Sequence, residues 1–221
     1  MTVSTTTLTR AAGLAAVVAG LLFVAVQINH PHLDPTFVTT TGYAVRETVK
    51  LVFAALALAG TTGMYLSQVK QTGVLGLLGY LLFGVNFLIV LSIQIVGLGV
   101  LPVLARSEPG YVADVLAVAT GGHATGDIGL LQTVNMVAGV SYIGGGLLFG
   151  IALFRARVLA RWACVVLAAG TVASLAIPLL PQLNFRLFAV PTGVALIGLG
   201  YSLWRLQRTP AAPRLDATVV A

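Results

Sequence analysis

Apolar residues run along this chain in long unbroken blocks, and polar residues interrupt them at a few recurrent depths. A membrane-crossing helix needs about 20 mostly apolar residues. Blocks near or above that length lie at 11–28, 45–66, 73–101, 128–154, 158–180 and 184–206. The runs are continuous rather than alternating, so they read as helices and not as the strands of a barrel. The pattern predicts an all-α fold, a polytopic integral membrane bundle of six transmembrane helices forming one domain over residues 1–208. The Pro/Ala-rich stretch 209–221 reads as a disordered cytoplasmic tail.

Composition strengthens this reading. Hydrophobic residues make up 58% of the chain and charged residues 8%, against about 25% charged in a soluble domain. Mean hydropathy is +1.00. The net charge of +6 does not point to nucleic acid, because the basic residues sit at span ends. Arg10, Lys70, Arg155, Arg157, Arg161, Arg205, Arg208 and Arg214 fall on one side, and Arg46, Lys50, Arg106 and Arg186 on the other. The positive-inside rule makes the richer side cytoplasmic, giving a multi-pass protein of the cell membrane, N-in/C-in. Trp162 and Trp204 flank the inner arginines, as an interfacial belt requires. The first block is long and lacks a small-x-small cleavage site, so it reads as a retained span. The lone Cys164 lies within a span and reads as a small buried hydrophobe.

Polar residues concentrate towards the outer end. Gln27 and Asn29 close the first span, Arg46, Glu47 and Lys50 open the second, and Gln94 lies near the end of the third. Asp127, Gln132 and Asn135 open the fourth. Polar groups in hydrocarbon face one another or a wet cavity, so these residues predict a polar-floored pocket. Tyr43, Glu47 and Lys50 recur at i, i+4 and i+7 and share a helix face. Asp127, Leu131 and Asn135 have the same periodicity, although Asp127 also suits a helix N-cap. Glu47 and Lys50 also suit a structural ion pair. His30, His32 and His123 with nearby acids are weak candidates for a zinc site, since the first two lie on a proline-bent loop rather than at helical i,i+4 spacing. All three histidines lie at or beyond span ends, which argues against haem, and the reading calls for no cofactor. Residues 111–119, in the long loop after the third span, predict a short surface helix. Glycines of the fourth span, Gly139, Gly144, Gly145, Gly146 and Gly150, predict close helix packing.

In size, span count and the acid near the start of its second span, the chain resembles the small membrane-bound terpene cyclases. That resemblance rests on architecture and on Glu47 and Asp127. It implies an isomerase-type enzyme that protonates an isoprenoid with a carboxylic acid and folds the cation in an apolar cavity. The chain departs from that scheme in flanking Glu47 with Arg46 and Lys50, and in its few aromatic candidates: Phe37, Tyr43, Phe53, Phe185 and Phe188. In texture it is also similar to six-span integral membrane proteins of GC-rich bacterial genomes, which implies no activity.

The favoured expectation is a membrane-embedded enzyme acting on a lipophilic small molecule, with Glu47 and Asp127 as acid and base. Gln27, Asn29, Tyr43, Arg46, Lys50, Gln94, Gln132 and Asn135 would bind the substrate. The alternatives are a small-amphiphile transporter or binding protein, a metal-dependent membrane hydrolase, and a non-catalytic membrane subunit. Membrane lipids are the expected surroundings in every case, and the oligomeric state is open.

Overall fold

The computed structural model describes residues 4–28, 31, 33–175 and 189–206. Within them the chain is helical and contains no strand. The helices are α1 (Thr5–Gln27), α2 (Pro35–Val38), α3 (Thr41–Leu66), α4 (Val69–Gly99), α5 (Leu101–Ser107), α6 (Pro109–Ala119), α7 (Leu131–Ala156), α8 (Arg161–Ala173) and α9 (Val190–Leu206).

Four of these, α1, α3, α4 and α7, are long and apolar enough to cross a bilayer, with 23, 26, 31 and 26 residues. At about 1.5 Å per residue even the shortest exceeds the roughly 30 Å hydrocarbon core. The fifth and sixth expected spans are represented by α8 and α9, with 13 and 17 described residues. The parts of those spans between 176 and 188 lie outside the described residues, as does the tail. The four-helix set is compatible with a multi-pass membrane protein. So is the outer surface, where Leu14, Leu21, Val74, Leu81, Leu88, Ile95 and Val140 are each about half exposed or more. An apolar exterior of this extent is compatible with contact with membrane lipid.

The six longest bundle helices pack as a closed ring in chain order: α1 on α3, α3 on α4, α4 on α7, α7 on α8, α8 on α9, and α9 back on α1. Neighbours run antiparallel. Gly13 meets Gly200 while Gly20 meets Gly193, and Gly79 meets Phe149 while Gly145 meets Phe83. The start of α1 and the end of α9 therefore share one end of the bundle. Arg10, Lys70, Arg155, Arg157, Arg161 and Arg205 lie at that same end.

Small residues set the packing distance. A Cβ on Gly13 would stand 2.8 Å from the Gly200 carbonyl oxygen, and one on Gly200 would stand 2.5 Å from that of Gly13. Across α4 and α7, a Cβ on Gly79 would come within 2.7 Å of the Phe149 Cα. The glycines of α7 divide by face: Gly145, Gly146 and Gly150 are buried in contacts, whereas nothing lies within 4 Å of a Cβ placed on Gly139.

Element ends shift from the sequence expectation for local reasons. Ser4 caps α1, its Oγ accepting from Thr7 N at 3.1 Å, so the helix starts earlier than residue 11. Gly73, at φ 57° and ψ −154°, separates a short first turn of α4 from its long span. The fourth span begins at Leu131 rather than at 128. Gly129 takes φ 60° there, and Asp127 Oδ1 accepts from Gly129 N at 2.8 Å in a side-chain-closed turn. Asp127 therefore does not cap the helix. Asp34 caps α2, its Oδ1 accepting from Phe37 N at 2.8 Å.

A second small core sits at the end of the bundle remote from the start of α1 and the end of α9. Val38, Tyr43, Leu101, Val112, Val115, Leu116 and Ile128 form it, so α2, α5 and α6 lie as a cap over that end. The expected surface helix exists and begins two residues earlier, at Pro109. The following loop is tied back to it. Asp114 accepts from Thr125 N at 2.9 Å and Gly126 N at 2.8 Å, which holds its carboxyl below the usual range.

Replacing Gly200 by leucine is expected to lower thermal stability in detergent by about 1–3 kcal/mol or more, by overpacking the α1–α9 seam. Gly139→Leu, on the open face, is expected to leave the melting temperature within about a degree of wild type, on the scale of ordinary surface changes. Equal effects from both would contradict the packing described.

Candidate functional site

Beneath the cap, the polar face of α3 lines a space shared with α4 and α7. Tyr43, Glu47 and Lys50 follow one another along that face, as their spacing requires, and Tyr43 and Glu47 are buried. Glu47 Oε1 accepts a hydrogen bond from Lys50 Nζ in an i,i+3 ion pair. The Glu47 side chain is 7% exposed and that of Lys50 24%, so the pair is largely withdrawn from the surroundings. Removing charges from water is costly, and the pair holds only because each partner neutralises the other.

Two cavities meet at this pair. The capped one, of about 220 Å³, lies under α5 and α6 and is lined by Tyr43, Glu47, Lys50, Gln94 and Asn135 among apolar neighbours that include Leu101, Val115 and Leu116. The other, of about 230 Å³, lies deeper among α1, α3, α4 and α7 and is lined by Phe23, Val26, Gln27, Lys50, Phe53, Asn86, Phe87, Val90 and Tyr142. Lys50 and Val90 are walls of both.

The deeper cavity rests on an aromatic cluster. Phe23 stacks on Phe53 at 4.7 Å, Phe53 meets Phe87 edge-on at 5.9 Å, and Phe83 lies 4.6 Å from Phe87. The Tyr142 hydroxyl donates to Thr192 Oγ1 at 2.7 Å, tying α7 to α9 beside the cavity. One glutamine on the wall of each cavity has its amide oxygen buried in the surrounding protein, shut off from the cavity space. Among the described residues Gln27 Oε1 and Gln94 Oε1 are buried without a hydrogen-bond partner, as is Gln68 Oε1, which lines neither cavity. Buried polar groups are almost always paired, so each such atom calls for an explanation.

The structure thus brings together Gln27, Tyr43, Glu47, Lys50, Gln94 and Asn135 from the residues singled out in the sequence. Asp127, Gln132 and Arg46 lie apart from this group. Asp127 is exposed in the turn before α7 and lines neither cavity. Gln132 is exposed one turn away from Asn135, whose own Nδ2 donates to Leu131 O at 2.9 Å. Arg46 faces a separate groove between α1 and α3, where its Nη1 donates to Val26 O at 3.2 Å. Asn29, His30 and His32 lie outside the described residues, and His123 is exposed. Among the described residues no group of His, Cys, Asp and Glu could hold a metal ion.

Phe23, Phe87, Val90 and Tyr142 went unremarked in the sequence. A signal for the first three existed. Phe23 is one turn before Gln27, and Phe87, Val90 and Gln94 recur at i, i+3 and i+7. Tyr142 has no such marker, because its place depends on how α7 docks. Compared with protein-family models, curated proteins and solved structures, the chain matches none.

The Glu47–Lys50 pair generates a testable asymmetry. Lys50→Met leaves a buried carboxylate without its partner and is expected to cost on the order of 3 kcal/mol. Glu47→Gln/Lys50→Met removes both charges and is expected to recover most of that loss in thermal unfolding of the purified protein. A double variant no more stable than Lys50→Met would mean that the two groups are not coupled.

Proposed function

We propose that this chain is a six-crossing protein of the cell membrane, with both termini cytoplasmic, that binds a small lipophilic molecule in the paired cavities around Lys50. The six-crossing reading is supported by the antiparallel ring, in which α8 and α9 occupy full positions between α7 and α1. The orientation is supported by the basic residues gathered at the end shared by the start of α1 and the end of α9.

One observation carries the binding reading: a largely buried ion pair stands where two apolar-walled cavities meet. An ionisable group inside a membrane bundle is a functional-site candidate by default. Apolar concavity with a few convergent polar groups is the usual form of a small-molecule site. In the opposite half of the bundle Met64, Phe149, Leu153, Leu199 and Leu203 are fully buried. That packing favours a site that receives and holds its ligand over a path that conducts it across. An acid–base reaction in this site would rest on Glu47 with Lys50 as its proton partner, since Asp127 lies away from it.

Val90→Phe fills space in both cavities. Organic extraction and mass spectrometry of the purified protein are expected to find a lipophile retained by wild type and lost, about tenfold or more, from a Val90→Phe variant that still elutes as a folded species; tenfold corresponds to roughly 1.4 kcal/mol of binding. Equal retention by both would remove the cavities as the site. For orientation, a membrane-impermeant maleimide applied to intact cells is expected to label Arg106→Cys, and to label Lys70→Cys only after permeabilisation. The reverse pattern would invert the topology.

A further inference from the structure

We infer that the open groove between α7 and α8 holds one acyl chain of an anionic phospholipid, with Arg161 receiving its phosphate. This site is separate from the cavities around Lys50 and stands whether or not they are occupied. The groove has a volume of about 580 Å³, and among the described residues no nitrogen- or oxygen-bearing side chain lines it. Ile151, Val165 and Val172 stand exposed along it. Its α8 wall runs from Cys164 to Ala173, about 14 Å at roughly 1.5 Å per residue. Half of a roughly 30 Å hydrocarbon core is about 15 Å. The groove therefore covers the depth of one leaflet, the distance over which a lipid chain reaches inward from its head group.

Charge marks one end of this groove. Phe154 lines it, and the Arg161 guanidinium lies over the Phe154 ring, 4.1 Å from its centroid. Arg155 lies in the last turn of α7 and Arg157 is its C-cap, so the short link between the two helices carries three exposed arginines. Among the described residues none of the three has an acidic partner, and the described acids, Asp34, Glu47, Glu108, Asp114 and Asp127, all lie in the capped half. Trp162, exposed beside Arg161, belongs at the level of lipid head groups. A guanidinium resting on a ring keeps N–H donors in its plane, and their fork suits a phosphate. Basic pockets between membrane helices attract anionic head groups in this way. A zwitterionic lipid carries its own cation and gains less from the arginines. A free anion has no part to set against the apolar wall. A second copy of the chain, meeting this seam about a two-fold axis, would bring its own arginines up to these.

The test uses the full chain in detergent, freed of lipid and equilibrated with equal amounts of dioleoyl phosphatidylglycerol and dioleoyl phosphatidylcholine. Native mass spectrometry then counts the lipid each molecule retains. Wild type is expected to keep one phosphatidylglycerol, preferred about tenfold. Arg161→Gln is expected to lower that preference about fivefold, the scale of one basic residue's attraction to an anionic lipid surface, and Arg161→Lys to keep most of it. Ala169→Phe, at an exposed position in the groove, is expected to elute as a folded species and to lose the retained lipid. Arg10→Gln lies at the same end of the bundle but on α1, across the ring from the groove, and is expected to leave the preference unchanged. Glycerol 1-phosphate at the lipid's concentration is expected not to compete. Equal retention of the two lipids by wild type overturns anionic recognition. Equal losses in Arg10→Gln and Arg161→Gln overturn the groove as the site and give the preference to the whole basic end. Retention of phosphatidylglycerol by Ala169→Phe, or full competition by glycerol 1-phosphate, overturns the seating of a chain in the groove. A dimer that Ala169→Phe splits with no change in lipid gives the groove to a second copy.

Discussion

Contact between helix backbones at glycine is the constraint on which this bundle depends. In an apolar solvent no hydrophobic force drives helices together, so association rests on packing and on the few hydrogen bonds available. Gly13 against Gly200 and Gly20 against Gly193 close the ring by bringing α9 onto α1. Gly79 and Gly145 bring α4 and α7 together from opposite sides, each set against a phenylalanine backbone of the other helix. Hydrogen bonds between helices are sparse but placed where they add most, as with Tyr142 to Thr192 and Ala160 N to Ser202 Oγ at 3.0 Å.

The cavities arise where that close packing gives way. Towards the capped end, α1, α3, α4 and α7 present large or polar side chains to one another in place of glycine: Gln27, Lys50, Phe53, Asn86, Phe87 and Tyr142. Such side chains hold helix axes apart and cannot fill the space between them evenly. The cap then closes the end. Its own small core, built on Val112, Leu116 and Ile128, covers the buried ion pair from the polar side. Glu47 is thus kept from bulk water by α5 and α6 and from lipid by the ring, which leaves Lys50 as its neutralising partner.

Much of this was legible in the chain. The continuous apolar runs mark the long helices within a few residues of their ends, and the i, i+4, i+7 spacing of Tyr43, Glu47 and Lys50 places one polar face correctly. Gln94 and Asn135 line the capped cavity and Gln27 the deeper one, a difference in depth that counting residues along a helix resolves only to about a turn. The failures share a cause. Asp127 fits a helical face by spacing, but Gly129 turns the backbone before the helix begins. Arg46 lies at the correct depth and faces the wrong groove. Gly139 has the same composition signal as Gly145 and a different environment.

The sequence by itself determined the helices, their solvent and the depth of each polar group, because these depend on local periodicity and on the transfer of side chains between water and hydrocarbon. Only the tertiary structure decided which polar groups meet. Rotation of each helix about its axis is set by its neighbours, and a change of one residue in register swings a side chain by about 100°. That rotation put Gln27 and Lys50 into one cavity, carried Gln132 and Arg46 out of it, and brought Tyr142 in from a helix more than 50 residues away from either the first or the second of the spans that form its floor.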